Sequence, residues 1–190
     1  MRAQWVFDGG RPCLDLVNTL RDRHGSGREL LVGPAELTEW LLLAGFLHRP
    51  ARASQRDLQL ARDLREAIDR VTLAVSAGER PALIDVRLIN RVVATPAPVP
   101  ELRIAPDGRP YRKIRPPAQP VAAALAGVAA DAIAMVTTEP EVRVCAGTDC
   151  GLRFLDTSPQ RNRQWCSMSR CGNRAKVRAH YARRNLAGTS

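Results

Sequence analysis

No stretch of eighteen apolar residues occurs in this 190-residue chain, which argues against a transmembrane helix. Met1-Arg2-Ala3-Gln4-Trp5 starts no apolar signal core, and Asp8 and Arg11 interrupt any such run, so export is not expected. Nor does a carboxylate–histidine constellation stand near the cysteines. His24 and His48 fall in stretches that read as loops, and no nucleophile has a partnered base, so an enzyme is not expected. Lysine is almost missing: Lys113 and Lys176 are the only two among 29 basic residues. With abundant alanine, this arginine bias is the mark of a high-GC bacterial genome and says nothing of function. Cysteine is missing from the first three quarters of the chain apart from Cys13, whose apolar context reads as a buried free thiol.

The other four cysteines are concentrated in the last quarter, as Cys145-x4-Cys150 and, fifteen residues on, Cys166-x4-Cys171. Two cysteine pairs at this separation read as a tetrahedral Zn²⁺ site, each short loop bringing two thiolates onto one metal. Two disulfides are the rival reading; in the reducing compartment expected here, clustered cysteines favour the metal. The expectation is one structural zinc on Cys145, Cys150, Cys166 and Cys171, with no open coordination position of the kind catalysis needs.

Positive charge gathers around these cysteines. Residues 141–190 hold ten basic residues against three acidic ones, a net of +7 out of +10 for the whole chain. Four thiolates and one Zn²⁺ subtract about two charges, which still leaves a strongly basic small module, the footprint of a nucleic-acid binder. Its cations are nearly all arginine, suited to phosphate and guanine. The candidate contacts are Arg161, Arg163, Arg170, Arg174, Lys176, Arg178 and Arg183.

Upstream, the pattern predicts helices. A turn at Gly9-Gly10 precedes a short one from Pro12 to Leu20 with Leu14 and Val17 inward, and Arg21–Arg28 reads as a loop. Gly33-Pro34 opens a second, with Leu37, Trp40, Leu41 and Ala44 on one face and Gly45 closing it. Ser54 is a candidate N-cap for the longest helix, to Ala77, in which Leu58, Ala61, Leu64, Ile68, Val71 and Val75 follow the 3.6 period. Pro81–Ala94 predicts another helix, facing inward with Leu83, Val86, Ile89 and Val93. Eight prolines over Thr95–Pro120 exclude extended helix, and Leu102–Ile104 and Tyr111–Ile114 flank Pro106-Asp107-Gly108 as a β-hairpin. A last helix is expected over Val121–Thr137, with Glu139-Pro140 as the boundary. Asp15, Asn18 and Thr19 beside an apolar helical face either cap backbone or, with Trp40, line an effector pocket.

In the last fifty residues Val142–Cys145 and Leu152–Leu155 predict an antiparallel pair around the first knuckle. Cys171 is expected in the first turn of a helix running to about Arg184, with Ala175, Ala179, Ala182 and Leu186 as its apolar stripe. Gly172 would avoid crowding next to the metal, Trp165 would lid the site or stack on a base, and His180 would meet surface or phosphate. Asn173 would bond the knuckle backbone or read adenine.

The run from Arg163 to Lys176, with Cys171-Gly172-Asn173-Arg174 inside it, resembles the CGNR zinc finger of bacterial proteins. Cys145-Ala146-Gly147-Thr148-Asp149-Cys150-Gly151 and Phe154–Ser158 match its first half. Phe7-Asp8-Gly9-Gly10-Arg11-Pro12-Cys13-Leu14-Asp15-Leu16-Val17-Asn18-Thr19-Leu20 is similar to the opening of the ABATE domain, which usually precedes this finger in stress-induced transcription regulators. Together the two matches span essentially the whole chain. The expected architecture is α+β and mainly α: a helical domain over 1–140 with one β-hairpin, for sensing or dimerisation, and a treble-clef-like four-cysteine zinc finger over 141–190. What the resemblance implies is a cytoplasmic, nucleoid-associated regulator binding duplex DNA, with a homodimer and a small-molecule effector as further expectations. RNA or ribosome binding, and an adaptor docking an acidic partner, are the alternatives.

Overall fold

The computed structural model describes residues 5–138, 141–178 and 181. Five helices form the larger part: α1 (Pro12–Val17), α2 (Pro34–Leu43), α3 (Gln55–Ser76), α4 (Leu83–Val93) and α5 (Pro120–Val136). The spine is α3, which packs against the other four. Its start is secured as a capping box: the Asp57 amide donates to Ser54 Oγ at 3.2 Å, and the Ser54 amide donates to Asp57 Oδ2 at 2.8 Å. Such a cap stabilises a helix by about 1 kcal/mol. Leu58, Ala61, Leu64, Ile68 and Val71 lie buried along α3 at the spacing the sequence predicts, with Val75 half-buried. Facing them, α5 buries Val121, Ala124, Leu125, Val128, Ala132 and Met135, its alanines permitting close approach of the backbones.

Three two-stranded antiparallel pairs complete the described structure. β1 (Leu20–Arg21) pairs with β2 (Arg28–Glu29), β3 (Val99–Ile104) with β4 (Pro110–Arg115), and β5 (Val142–Val144) with β6 (Arg153–Leu155). The β3–β4 hairpin turns at Asp107-Gly108, where Gly108 takes φ +81°. The β1–β2 pair replaces the loop expected over Arg21–Arg28. Asp22 (φ 54°) and Gly27 (φ +68°) reverse the chain there, and α1 ends at Val17 instead of Leu20. The buried face of α4 also differs. Ile89 is buried and Val86 and Val93 pack partly buried on the core as predicted, but Leu83 is 55% exposed, and Asp85 and Val92 turn inward in its place. Arg70 of α3 holds the Asp85 carboxylate there with bonds of 2.9 and 2.6 Å.

The predicted boundary at Glu139-Pro140 lies outside the described residues. On either side of it the two parts share their interiors. Val142 belongs to the helical core, and its amide donates to Ser76 Oγ of α3. Val6, from the chain's start, belongs instead to the small core that holds the cysteines. No described helix is long and apolar enough to cross a membrane.

Candidate metal centre and nucleic-acid interface

β5 leads directly into Cys145, and Cys150 stands three residues before β6, so the hairpin presents the first pair of sulfurs from one knuckle. Cys166 closes the following loop. Cys171 sits in a wide, π-type turn, Met168–Gly172, whose entry is capped by Ser167 Oγ accepting from the Arg170 amide at 3.2 Å. Residues 173–178 continue as α-helix, so Cys171 stands at a helix start as the sequence predicts.

All four cysteines are buried and none is disulfide-bonded. Their sulfurs lie within 4.8 Å of one another, with Cys150–Cys166 at 3.8 Å and Cys166–Cys171 at 3.7 Å. Zinc–sulfur bonds of about 2.3 Å in a tetrahedron would separate the sulfurs by about 3.8 Å. The cluster therefore fits one Zn²⁺, held by four thiolates. The Cys166 amide donates to Cys145 Sγ and Arg174 Nη2 donates to Cys171 Sγ, each at 3.3 Å, and such donors stabilise thiolate charge. Four thiols in this space cannot ionise together without a metal. Hydrogen bonds from Cys150 and Cys166 hold Cys145 far below the usual thiol range, while the bond to Cys145 pushes Cys150 up to about 12. Zinc must therefore displace protons to enter the site.

Around the sulfurs the finger has little apolar substance: Phe154, Leu152, Val6 and half-buried Trp165. Trp165 packs on this cluster, as a lid would. Gly172 plays another part than the one expected. A Cβ there would meet Met168 Sδ at 2.5 Å, so the residue makes room for Met168; it is Gly147 whose Cβ would crowd Cys171 Sγ, at 3.2 Å. Asn173 is exposed, and its side chain makes no hydrogen bond among the described residues.

The candidate nucleic-acid residues divide into two groups. Arg163 lies over the Phe154 ring at 4.7 Å and donates to the Trp165 and Cys166 carbonyls, so it braces the second knuckle. Arg170 pairs with Asp8 at 3.2 Å, tying the finger to the chain's start. Arg161, Arg174, Lys176 and Arg178 are exposed. Arg178 also reaches Thr148 Oγ1 and stands 4.0 Å from Asp149. Arg183, like Ala179, His180, Ala182 and Leu186, lies outside the described residues.

Asp15, Asn18 and Trp40 are all buried. Of the two readings offered for Asp15 and Asn18, the bonding of neighbouring backbone is the one their contacts show. Asp15 Oδ1 accepts from the Gly9 amide at 2.9 Å, and burial pushes its carboxyl up to about 7. Trp40 is fully buried and stacks with Phe7. Asn18 clamps β6, accepting from the Arg153 amide and donating to the Arg153 carbonyl, both at 2.8 Å. Neither the cleft of about 510 Å³ at Arg11, Glu141 and Asp156 nor that of about 740 Å³ at Arg52, Asp63 and Arg91 includes any of the three.

Two arginines that the sequence does not flag complete the seam between the parts. Arg153 is buried and binds Asp69 of α3 through Nε–Oδ1 at 2.7 Å and Nη2–Oδ2 at 3.0 Å. Arg21 is 6% exposed, and its Nε and Nη1 find no hydrogen-bond partner among the described residues. Burial and the neighbouring Arg170 lower its pKa, while Asp22 and the Cys150 sulfur oppose that shift. Nothing in local periodicity marks either residue: both sit in strands of two or three residues, and Asp69 lies 84 positions from Arg153 in the chain.

A family model described as "Putative stress-induced transcription regulator", the ABATE domain, matches residues 10–139. The CGNR zinc-finger model matches residues 141–184. A comparison with the curated proteins finds no match.

Proposed function

Since the chain belongs to the ABATE family and carries a CGNR zinc finger, we propose that it regulates transcription by binding duplex DNA through the exposed cations around that finger. One observation carries this reading. Arg174, Lys176 and Arg178 stand exposed on the helix that grows out of the metal ligand Cys171, with Arg161 exposed on the loop before it. Zinc fixes the start of that helix, and the helix presents guanidinium groups to a polyanion. In this reading the metal is structural, because four sulfurs leave no position for substrate, and the protein works without catalysis beside the bacterial nucleoid.

The two kinds of arginine have different roles here. Arg174 lies next to the thiolate of Cys171 and is expected to contact phosphate. Arg178, one turn on, is better placed for a base edge. Arg163 and Arg170 serve the finger's own structure.

Titration of a labelled duplex over a range of salt concentrations tests the proposal. With about three or four phosphates neutralised, log K should fall against log salt with a slope of roughly −3 to −4. Arg178→Ala should relax preference at one base pair at a cost of about 1–3 kcal/mol, and Lys176→Ala should weaken all sequences alike. Equal or tighter binding of structured RNA in competition would overturn the choice of duplex DNA.

A further inference from the structure

The β3–β4 ribbon stands out from the helices, its strands packing chiefly on each other. Every residue of the two strands except Glu101 is exposed, and at roughly 3.3 Å per residue each strand is about 20 Å long. Between Val99 and Arg115 there are five basic residues (Arg103, Arg109, Arg112, Lys113, Arg115) and two acidic ones, Glu101 and Asp107. The rest of residues 1–140 balances, with fourteen of each sign. The whole positive excess of the helical domain therefore sits on its most protruding element.

Pairing within the ribbon neutralises only part of this charge. Glu101 serves both Arg103 and Arg115, and Asp107 lies 3.7 Å from Arg109. Arg112 and Lys113 have no acidic partner among the described residues. The register sets Arg112 opposite Leu102, on the face of Ile104 and Ile114, and Lys113 opposite Glu101, on the face of Arg103 and Tyr111. Cations thus project from both faces. An acidic protein surface would use one face, and a second copy of this chain would bring like charge to like charge. A duplex groove has phosphates along both walls, and the major groove is wide enough for a two-stranded ribbon. Leu102 and Ile104, 76% and 62% exposed and on the Arg112 face, would then lie against the sugars of the same wall.

We propose that the β3–β4 ribbon is a second nucleic-acid contact, lying in a groove of duplex DNA with Arg112 and Lys113 towards opposite phosphate walls. The proposal rests on the reading of this protein as a duplex-DNA binder and adds a site outside the finger.

The test compares the full chain with R112Q/K113Q and with the finger variant K176Q/R178Q, by fluorescence anisotropy on a labelled mixed-sequence duplex across a salt series. Circular dichroism and zinc content confirm that each variant is folded. In R112Q/K113Q the loss of two phosphate contacts should flatten the salt slope by about two units and weaken low-salt binding at least about tenfold; K176Q/R178Q, which removes one phosphate and one base contact, should flatten it by about one unit and weaken binding about as much. If R112Q/K113Q keeps the parent's affinity and slope while K176Q/R178Q loses them, the ribbon proposal falls and the finger reading stands. The reverse result removes the finger and leaves the ribbon. A change in sedimentation mass on R112Q/K113Q with an unaltered slope assigns the ribbon to a protein partner and overturns the proposal, and a parent chain that binds no duplex overturns both readings.

Discussion

Around α3 the helical part buries Leu14, Leu16, Trp40, Leu64, Ile68 and Leu125, a core large enough to hold five helices together. The finger's counterpart is four sulfurs with Phe154, Leu152 and Val6, one of them borrowed from the chain's start. A module that small cannot bury enough apolar surface to offset its chain entropy, so a metal has to supply the difference. The contrast is blunted at the seam. Asn18, Asp69 and Gly9 on the helical side hold Arg153 and Leu155 of β6. The finger therefore leans on the helices, and a truncated 1–140 chain would leave Asp69 with Arg23 alone, at 3.5 Å, in place of its two hydrogen bonds from Arg153.

The sharpest way to separate the two kinds of core is to remove the metal. Cys166→Ser, or chelation, takes away a site that contributes about 10–16 kcal/mol in isolated fingers. Signals of the finger should collapse in an amide-correlation NMR spectrum while those of α3 and α5 persist. Because the seam loses its partners, the remaining transition should drop by roughly 10 °C. An unchanged melting temperature would mean that the seam contributes no stability to the helical part.

The next largest effect belongs to the helical part alone. Burial raises the Asp15 carboxyl to about 7 in the folded protein, against an ordinary 3.8. The folded state then holds a proton that the unfolded chain releases between about pH 4 and 7. Stability falls as pH rises through that window and levels off above it. Asp15→Asn keeps the acceptor for the Gly9 amide and cannot ionise. It should match the parent near pH 4 and exceed it at pH 8 by on the order of 4 kcal/mol. Parallel pH profiles for the two proteins would show that Asp15 is ionised in the folded state throughout.

Breaking the seam itself should have a smaller effect. Arg153→Met removes both hydrogen bonds that the Asp69 carboxylate accepts from Arg153 and leaves it with Arg23 alone, at 3.5 Å, at a cost of about 1–3 kcal/mol. The double variant R153M/D69L should recover most of that loss in urea denaturation, because both charges are then gone. A single-variant cost below about 1 kcal/mol would show that water reaches the pair.

Much of this molecule was legible before folding because its signals are local. Helical periodicity gave α3 and α5 their buried faces, Ser54 marked a start, and cysteine spacing marked the metal site. Where a residue's neighbours come from other segments, the same reasoning left its role open or misplaced it. Asn18 read either as a backbone cap or as a pocket residue, and its clamp on the β6 backbone decides for the first; Leu83 read as core and is exposed. Arg163 and Arg170 read as DNA contacts; in the fold Arg163 lies over Phe154 and Arg170 pairs with Asp8.

By itself, then, the sequence determined the helical class, the four ligands and the excess of positive charge in the last fifty residues, since these depend on residue type and short spacing. Only the tertiary structure decided which cations remain exposed, how the finger is seated on α1 and α3, and that the helical domain's surplus charge projects on the β3–β4 ribbon. Those outcomes depend on which distant side chains arrive at each charge, and chain spacing carries no record of that.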